Sequence, residues 1–309
     1  MKPFKALVLR NIKMFFGDKG LFFTSLITPL ILILLFITFL GGVYRSSFLS
    51  AIPDGITVPD TLTEGFVGGW LFSSLLAVSC VTVAFCSNML MVQDKANAAL
   101  SDFSVSPVKG STLALGYYVS SVIVTLIISA AALASCFIYL MAVGWYLSVS
   151  DVVLIIVDVI LLVLFGTALS SVINFFLSTQ GQIAAVGSIV SACYGFICGA
   201  YMPISQFNEG IRTFISFLPG TYGTGLIRSH MLRGSFEALE QSGMPAQGIE
   251  GLKEAFDGTL YFFDRAVSEG AMYAVMGITV AALVALYILL NVMKRRGKAA
   301  KQPVAIKIK

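Results

Sequence analysis

Long stretches of this chain hold no charged residue, among them 20–44 (25 residues), 65–93 (29) and 110–150 (41). In hydrocarbon every backbone N–H and C=O needs an internal partner, so such runs fold as membrane-spanning helices of about 20 residues each. Composition points the same way. Charged residues make up 12% of the chain against about 25% in soluble domains, and mean hydropathy is +0.90. The expectation is an all-α polytopic membrane protein, residues 1–309 forming one transmembrane domain.

Six spans are predicted, at 21–43, 66–92, 113–143, 152–177, 183–200 and 271–293. The 41-residue run would make a helix of about 60 Å, twice the bilayer core. Trp145 and Tyr146 mark its interfacial end. Residues 1–19 read as an amphipathic helix lying in the headgroup plane, with Phe4, Leu7, Val8, Ile12 and Phe15 on one side and Arg10 and Lys13 opposite. No small-residue cleavage site follows, so the first apolar run is expected to stay as an uncleaved span.

Orientation comes from Lys and Arg placement. With six spans both termini share a side, and that side, with the 93–116 loop, holds fourteen basic residues against six on the other. Both termini and the loop are therefore predicted to be cytoplasmic in a plasma (inner) membrane. The 69 residues of 201–269 then face outside. Pro203, Pro219-Gly220 and Gly223-Thr224-Gly225 break their first, semi-apolar part, which predicts a re-entrant helix pair. Residues 235–268 form an additional segment.

The five cysteines fall inside apolar runs and read as small hydrophobes. His230, the single histidine, has no Cys or His cluster near it, and no metal site is predicted. No phosphate loop occurs, since residues 108–112 (VKGST) carry similar letters in the wrong order, and no hydrolase constellation is visible. The chain is predicted to have no catalytic residues and to bind no cofactor. Gly187, Ser191, Gly195 and Gly199 recur every four residues in the fifth span, a flat ridge for close helix approach. It serves either a subunit interface or packing within the chain. Asp158 is the one clear ionisable residue inside a predicted span, either lining a substrate path or gate, or snorkelling to the nearer interface.

The polar break at 93–116 predicts a short helix over 94–104, started by Asp94 and stopped by Val105-Ser106-Pro107. Taken alone it is an exposed cytoplasmic helix. The succession Lys95, Leu100, Val105-Ser106-Pro107 and Leu113-Ala114-Leu115-Gly116 resembles the coupling loop of type-2 ATP-binding-cassette exporter permeases. The family's Arg-Gly pair is missing, and its usual Glu falls on Ser101, with Asp102 beside it. A second resemblance lies at Leu218-Pro219-Gly220-Thr221-Tyr222 and Arg228, which match the family's Pro, Thr, Tyr and Arg but not its leading Asn.

What the resemblance implies is a type V exporter-like fold with an interfacial helix, a cytoplasmic coupling helix and a re-entrant extracellular pair. The complex would hold two cassette ATPase subunits, carrying ATP and Mg, and a second permease subunit, identical or homologous, with no nucleic acid. Asp94, Lys95, Leu100, Asp102 and Phe103 would meet the ATPase, and Pro219, Thr221, Tyr222 and Arg228 would join Asp158 in gating. The substrate would be hydrophobic or amphipathic: a drug, an antimicrobial peptide or a lipid. Alternatives are a polysaccharide or lipid-linked glycan exporter of the same family, or an ion-coupled secondary transporter, which should carry more intramembrane charges and internal repeats.

Overall fold

The computed structural model describes residues 2–299 apart from 54–55, 98, 100–107, 198, 200 and 264. A short amphipathic helix, α1 (Lys2–Gly17), leads into α2 (Lys19–Ser50), which carries a π turn at Phe36–Leu40. Next come α3 (Asp60–Ala96), α4 (Gly110–Val143), α5 (Val149–Phe176) and the shorter α6 (Gln180–Ile197). A cap follows: α7 (Glu209–Ser216), α8 (Pro219–Gln241), α9 (Ala246–Ala255) and a hairpin of β1 (Tyr261–Phe262) with β2 (Arg265–Ala266). The last helix is α10 (Glu269–Ala299). Among the described residues, α2, α3, α4, α5 and α10 are long and apolar enough to cross a membrane, and α6 is a shorter apolar helix. The bundle thus has a loop pole, with α1 and the α3–α4 connection, and a cap pole, with α7 to α9.

α3 is the axis of the bundle. In its most apolar 18-residue window 94% of residues are buried, against 6% for α2 and 11% for α10. A helix apolar on all sides belongs in the interior, while α2 and α10 present large side chains outward, among them Phe23, Ile27, Leu34, Ile278 and Leu289. Around α3 the neighbours pack closely on small residues. A Cβ on Gly166 of α5 would sit 3.0 Å from the Val81 backbone, and one on Gly234 of α8 would strike the carbonyl of Tyr146.

Several boundaries depart from the expected ones. α3 extends beyond 66–92 at both ends, so Asp94 and Lys95 lie in its last turn rather than opening a separate helix. Its 37 residues rise about 55 Å, well beyond a 30 Å hydrocarbon core. Gly223-Thr224-Gly225 does not break the chain. α8 runs through it, because the missing Cβ atoms make room for Leu162 and Met276 at Gly223 and for Leu260 and Met272 at Gly225. Cys80, Cys86 and Cys136 are buried but Cys193 is exposed. The additional segment builds a second core at the cap pole, where Phe236, Leu252 and Phe256 pack on Tyr44, Phe48, Phe66 and Trp70. The Trp70 indole donates to the Phe256 carbonyl at 2.8 Å.

This packing yields a direct test. Gly166→Leu should destabilise the purified protein by about 1–3 kcal/mol through overpacking against Val81. Gly277→Leu, where nothing lies within 4 Å, should stay within about 0.5 kcal/mol. Thermal unfolding in detergent distinguishes the two.

Candidate functional site

At the loop pole the last turn of α3 is tied to three neighbours. Asp94 is 3% exposed and sits at a helix C-terminus, where the dipole disfavours a carboxylate. It is held by Arg10 of α1, whose Nη1 and Nη2 donate to its two oxygens at 2.7 and 2.9 Å, and by the Tyr117 hydroxyl of α4 at 2.5 Å. Beside them Asn11, a polar residue on the otherwise apolar side of α1, is buried and donates to Ser120 of α4 at 3.2 Å. Lys95 points the other way. Its Nζ donates to the carbonyls of Asn174, Phe175 and Leu177 at 2.8, 2.8 and 3.0 Å, closing the C-terminus of α5. Asp94 and Lys95 therefore face inward, bonded to their own chain. The other three residues expected to meet an ATPase, Leu100, Asp102 and Phe103, lie outside the described residues.

At the cap pole Pro219 opens α8 at a position where a missing N–H costs nothing. The α7–α8 turn is closed from within: Thr221 donates to the Ile215 carbonyl at 3.0 Å and Tyr222 to that of Ser216 at 2.5 Å. A cavity of about 310 Å³ opens beside this turn, lined in part by Glu209, Arg212, Thr221, Tyr222, Asp257 and Phe263.

Arg228 is completely buried. It donates to Asp257 at 3.1 Å, to the Gly199 carbonyl at 2.7 Å and to Ser74 of α3 at 3.0 Å, and it lies over the Trp70 ring at 5.0 Å. Asp257, from the additional segment, also accepts the backbone N–H groups of Ile204 and Ser205. Burial pushes its carboxyl above the usual carboxylate range, and the Arg228 charge and the two amides pull the other way.

Two residues along α8, and on its other side, His230 meets Asp158. The pair is 2.6 Å apart with both side chains fully buried, so Asp158 does not snorkel. The Tyr273 hydroxyl of α10 donates to the other Asp158 oxygen at 2.5 Å. Above it Arg233 of α8 bridges Asp151 of α5 at 3.2 Å and Glu269 of α10 at 2.8 Å. Five of these residues were not singled out from sequence: His230, Arg233, Tyr273, Glu269 and Asp151. The signal was spacing, because each pair falls on one helix face: Asp151 with Asp158, His230 with Arg233, Glu269 with Tyr273.

The ridge of small residues takes up neighbours of the same chain. A Cβ on Gly187 would touch Met89 of α3, and one on Gly195 would strike the Tyr201 ring. The Tyr201 hydroxyl donates to the Ser191 carbonyl at 3.3 Å. Gly199 lies past the end of α6 with φ +67, a conformation that favours glycine. The outward face of α6 is displaced from this ridge and carries Ala185, Ser188, Ile189, Ala192, Cys193 and Phe196.

Breaking the buried Arg228–Asp257 pair from one side strands a charge. Asp257→Ala and Arg228→Ala should each cost about 3–5 kcal/mol. Arg228→Met with Asp257→Leu should cost clearly less than the sum of the two. Additive losses in unfolding experiments would mean that the two residues act independently.

A family model described as ABC-2 type transporter matches residues 2–232, from α1 into α8. No curated protein sequence gives a significant match. The match takes in the loop-pole cluster and the α7–α8 turn and ends before α9 and α10. With about three quarters of its residues matched and a bundle of apolar helices around α3, the chain belongs to the ABC-2 type transporter family, as the multi-pass membrane component of an ATP-binding-cassette transporter whose ATPase is carried by a separate protein.

Proposed function

We propose that this chain is the permease of an exporter that moves a hydrophobic or amphipathic substrate out of the cell, with the loop pole cytoplasmic. ATP and Mg would reside on two partner subunits. The observation that carries the reading is the fastening of the loop pole. Asp94 and Lys95, at the start of the expected coupling segment, tie the end of α3 to α1, α4 and α5 through side-chain bonds to the buried Asp94 carboxylate and carbonyl contacts on Lys95. Force applied to the loop would reach the central helix and three neighbours together. Leu100, Asp102 and Phe103 would then make the ATPase contact, and Asp94 and Lys95 would transmit it.

At the cap pole the Pro219–Tyr222 turn would be the outer gate, with the 310 Å³ cavity beside it on the exit side. Charged side chains are few along the spans, which suits a lipophilic rather than a sugar-polymer cargo. A second permease subunit would meet the outward face of α6, where Ala185, Ser188 and Ala192 permit close approach.

Two measurements test this. The tagged chain, co-expressed with its genomic neighbours and gently solubilised, should co-purify with a cassette ATPase, and Leu100→Asp with Phe103→Asp should lose it. An ATPase retained by that variant would move the contact elsewhere, and none with the wild type would overturn the pump. Mild oxidation in membranes should join two copies through the exposed Cys193. If the chain stays monomeric on gels while the complex is intact, the α6 interface between identical subunits is wrong.

A further inference from the structure

Asp158 is a carboxylate with no exposed surface, and among the described residues its polar partners are the Tyr273 hydroxyl and His230. An ionised carboxylate in such a place needs a compensating charge. Arg233 is committed to Asp151 and Glu269, and Arg228, on the other side of α8, to Asp257. α3, which packs on α8, brings Ser74 and Trp70 to Arg228 and no ionisable contact to His230. Among the described residues, the one cation that can face Asp158 is therefore a protonated His230.

The second ring nitrogen shows how the proton arrives. His230 Nδ1 faces Asp158, which as a carboxylate can only accept, so Nδ1 carries a hydrogen. Nε2 is buried, makes no hydrogen bond, and lies 3.5 Å from Glu269 Oε2. The Glu269 side chain is 42% exposed and is held at its other oxygen by Ser229 and Arg233. One end of this short chain of groups is wet and the other is sealed.

We propose that Asp158 and His230 form a binding site for one proton, filled and emptied through Glu269 from the cap pole. A proton taken from solvent by the Glu269 carboxyl passes to Nε2, leaving Glu269 ionised beside Arg233 and converting neutral imidazole to imidazolium opposite the Asp158 carboxylate. The reverse transfer empties the site. When filled, the pair binds α8 to α5, and Tyr273 adds α10. When emptied, it leaves a buried carboxylate with two neutral donors, and the seating of α8 against α5 and α10 weakens. Proton concentration at the cap pole thereby bears on the helix that carries the α7–α8 turn.

The chain's single histidine makes the test direct. The untagged full-length protein, labelled with ring-15N histidine and placed in phospholipid nanodiscs, gives one imidazole to follow over roughly pH 5 to 9. The expected result is an imidazolium with both nitrogens protonated that loses one proton in a single step, and a midpoint lowered by about one pH unit or more in Asp158→Asn. Glu269→Gln should slow exchange of the Nε2 proton with water at least about tenfold, as expected when a positioned proton-transfer group is lost. A wild-type ring that stays neutral down to pH 5 overturns the site by itself, whatever the folding of the variants. A midpoint unchanged in Asp158→Asn overturns the pairing, and unchanged exchange in Glu269→Gln overturns the route.

Discussion

A helix buried on every side cannot use polarity to choose its neighbours, and α3 is such a helix. Its polar residues are small and turned on themselves or on adjacent helices. Ser73 and Ser74 donate to the Trp70 carbonyl and Thr82 to that of Val78. Asn88 donates to Ser170 and Ser171 of α5 and accepts from Ser121 of α4. In an apolar medium an unmet amide is costly, so Asn88 fixes the mutual register of three helices more firmly than side-chain packing alone. The close approach at Gly166 serves the same contact from the other side. Whatever moves α3 moves the bundle.

The two poles load this axis differently. At the loop pole a few charged groups bind the end of α3 to α1, α4 and the C-terminus of α5, and each group answers a helix-terminal need: a carboxylate at an unfavourable dipole end, and open carbonyls capped by an ammonium. At the cap pole α8 is the clamp. Arg228 joins it to α3, the end of α6 and the additional segment, while His230 and Arg233 join it to α5 and α10. Their partners on α5, Asp158 and Asp151, sit about 27 and about 38 Å of helix rise from Phe176, the loop-pole end of that helix. Both poles are fastened by ionic groups and the middle by small residues and hydroxyls, so the long helices can pass displacement between them.

The long apolar helices were readable because charge-free runs of this length leave the backbone no other option, and the Lys and Arg residues of both termini and the 93–116 loop oriented the expectation. Pro219-Gly220 was readable as a break for a similar local reason, and α7 ends and α8 begins there. Gly223 and Gly225 misled for an instructive one: glycine signals either a break or a close approach, and only neighbours such as Leu162 and Leu260 tell which. The ridge at Gly187, Ser191 and Gly195 carried the same ambiguity, and Met89 and Tyr201 occupy it.

Asp158 stood out as a charge in an apolar run, but its partner did not, since His230 lies 72 residues away in a segment that reads as a re-entrant helix pair outside the spans. Asp257 was equally hidden, 29 residues beyond Arg228 in a stretch without hydropathy signal. The sequence by itself determined that the chain folds into long apolar helices of a membrane protein and to which family it belongs, because these depend on local hydropathy and backbone satisfaction. Which ionisable groups pair, and whether each faces water, lipid or another helix, was decided by the tertiary structure, because a charge pair is a contact between residues that chain folding alone brings together.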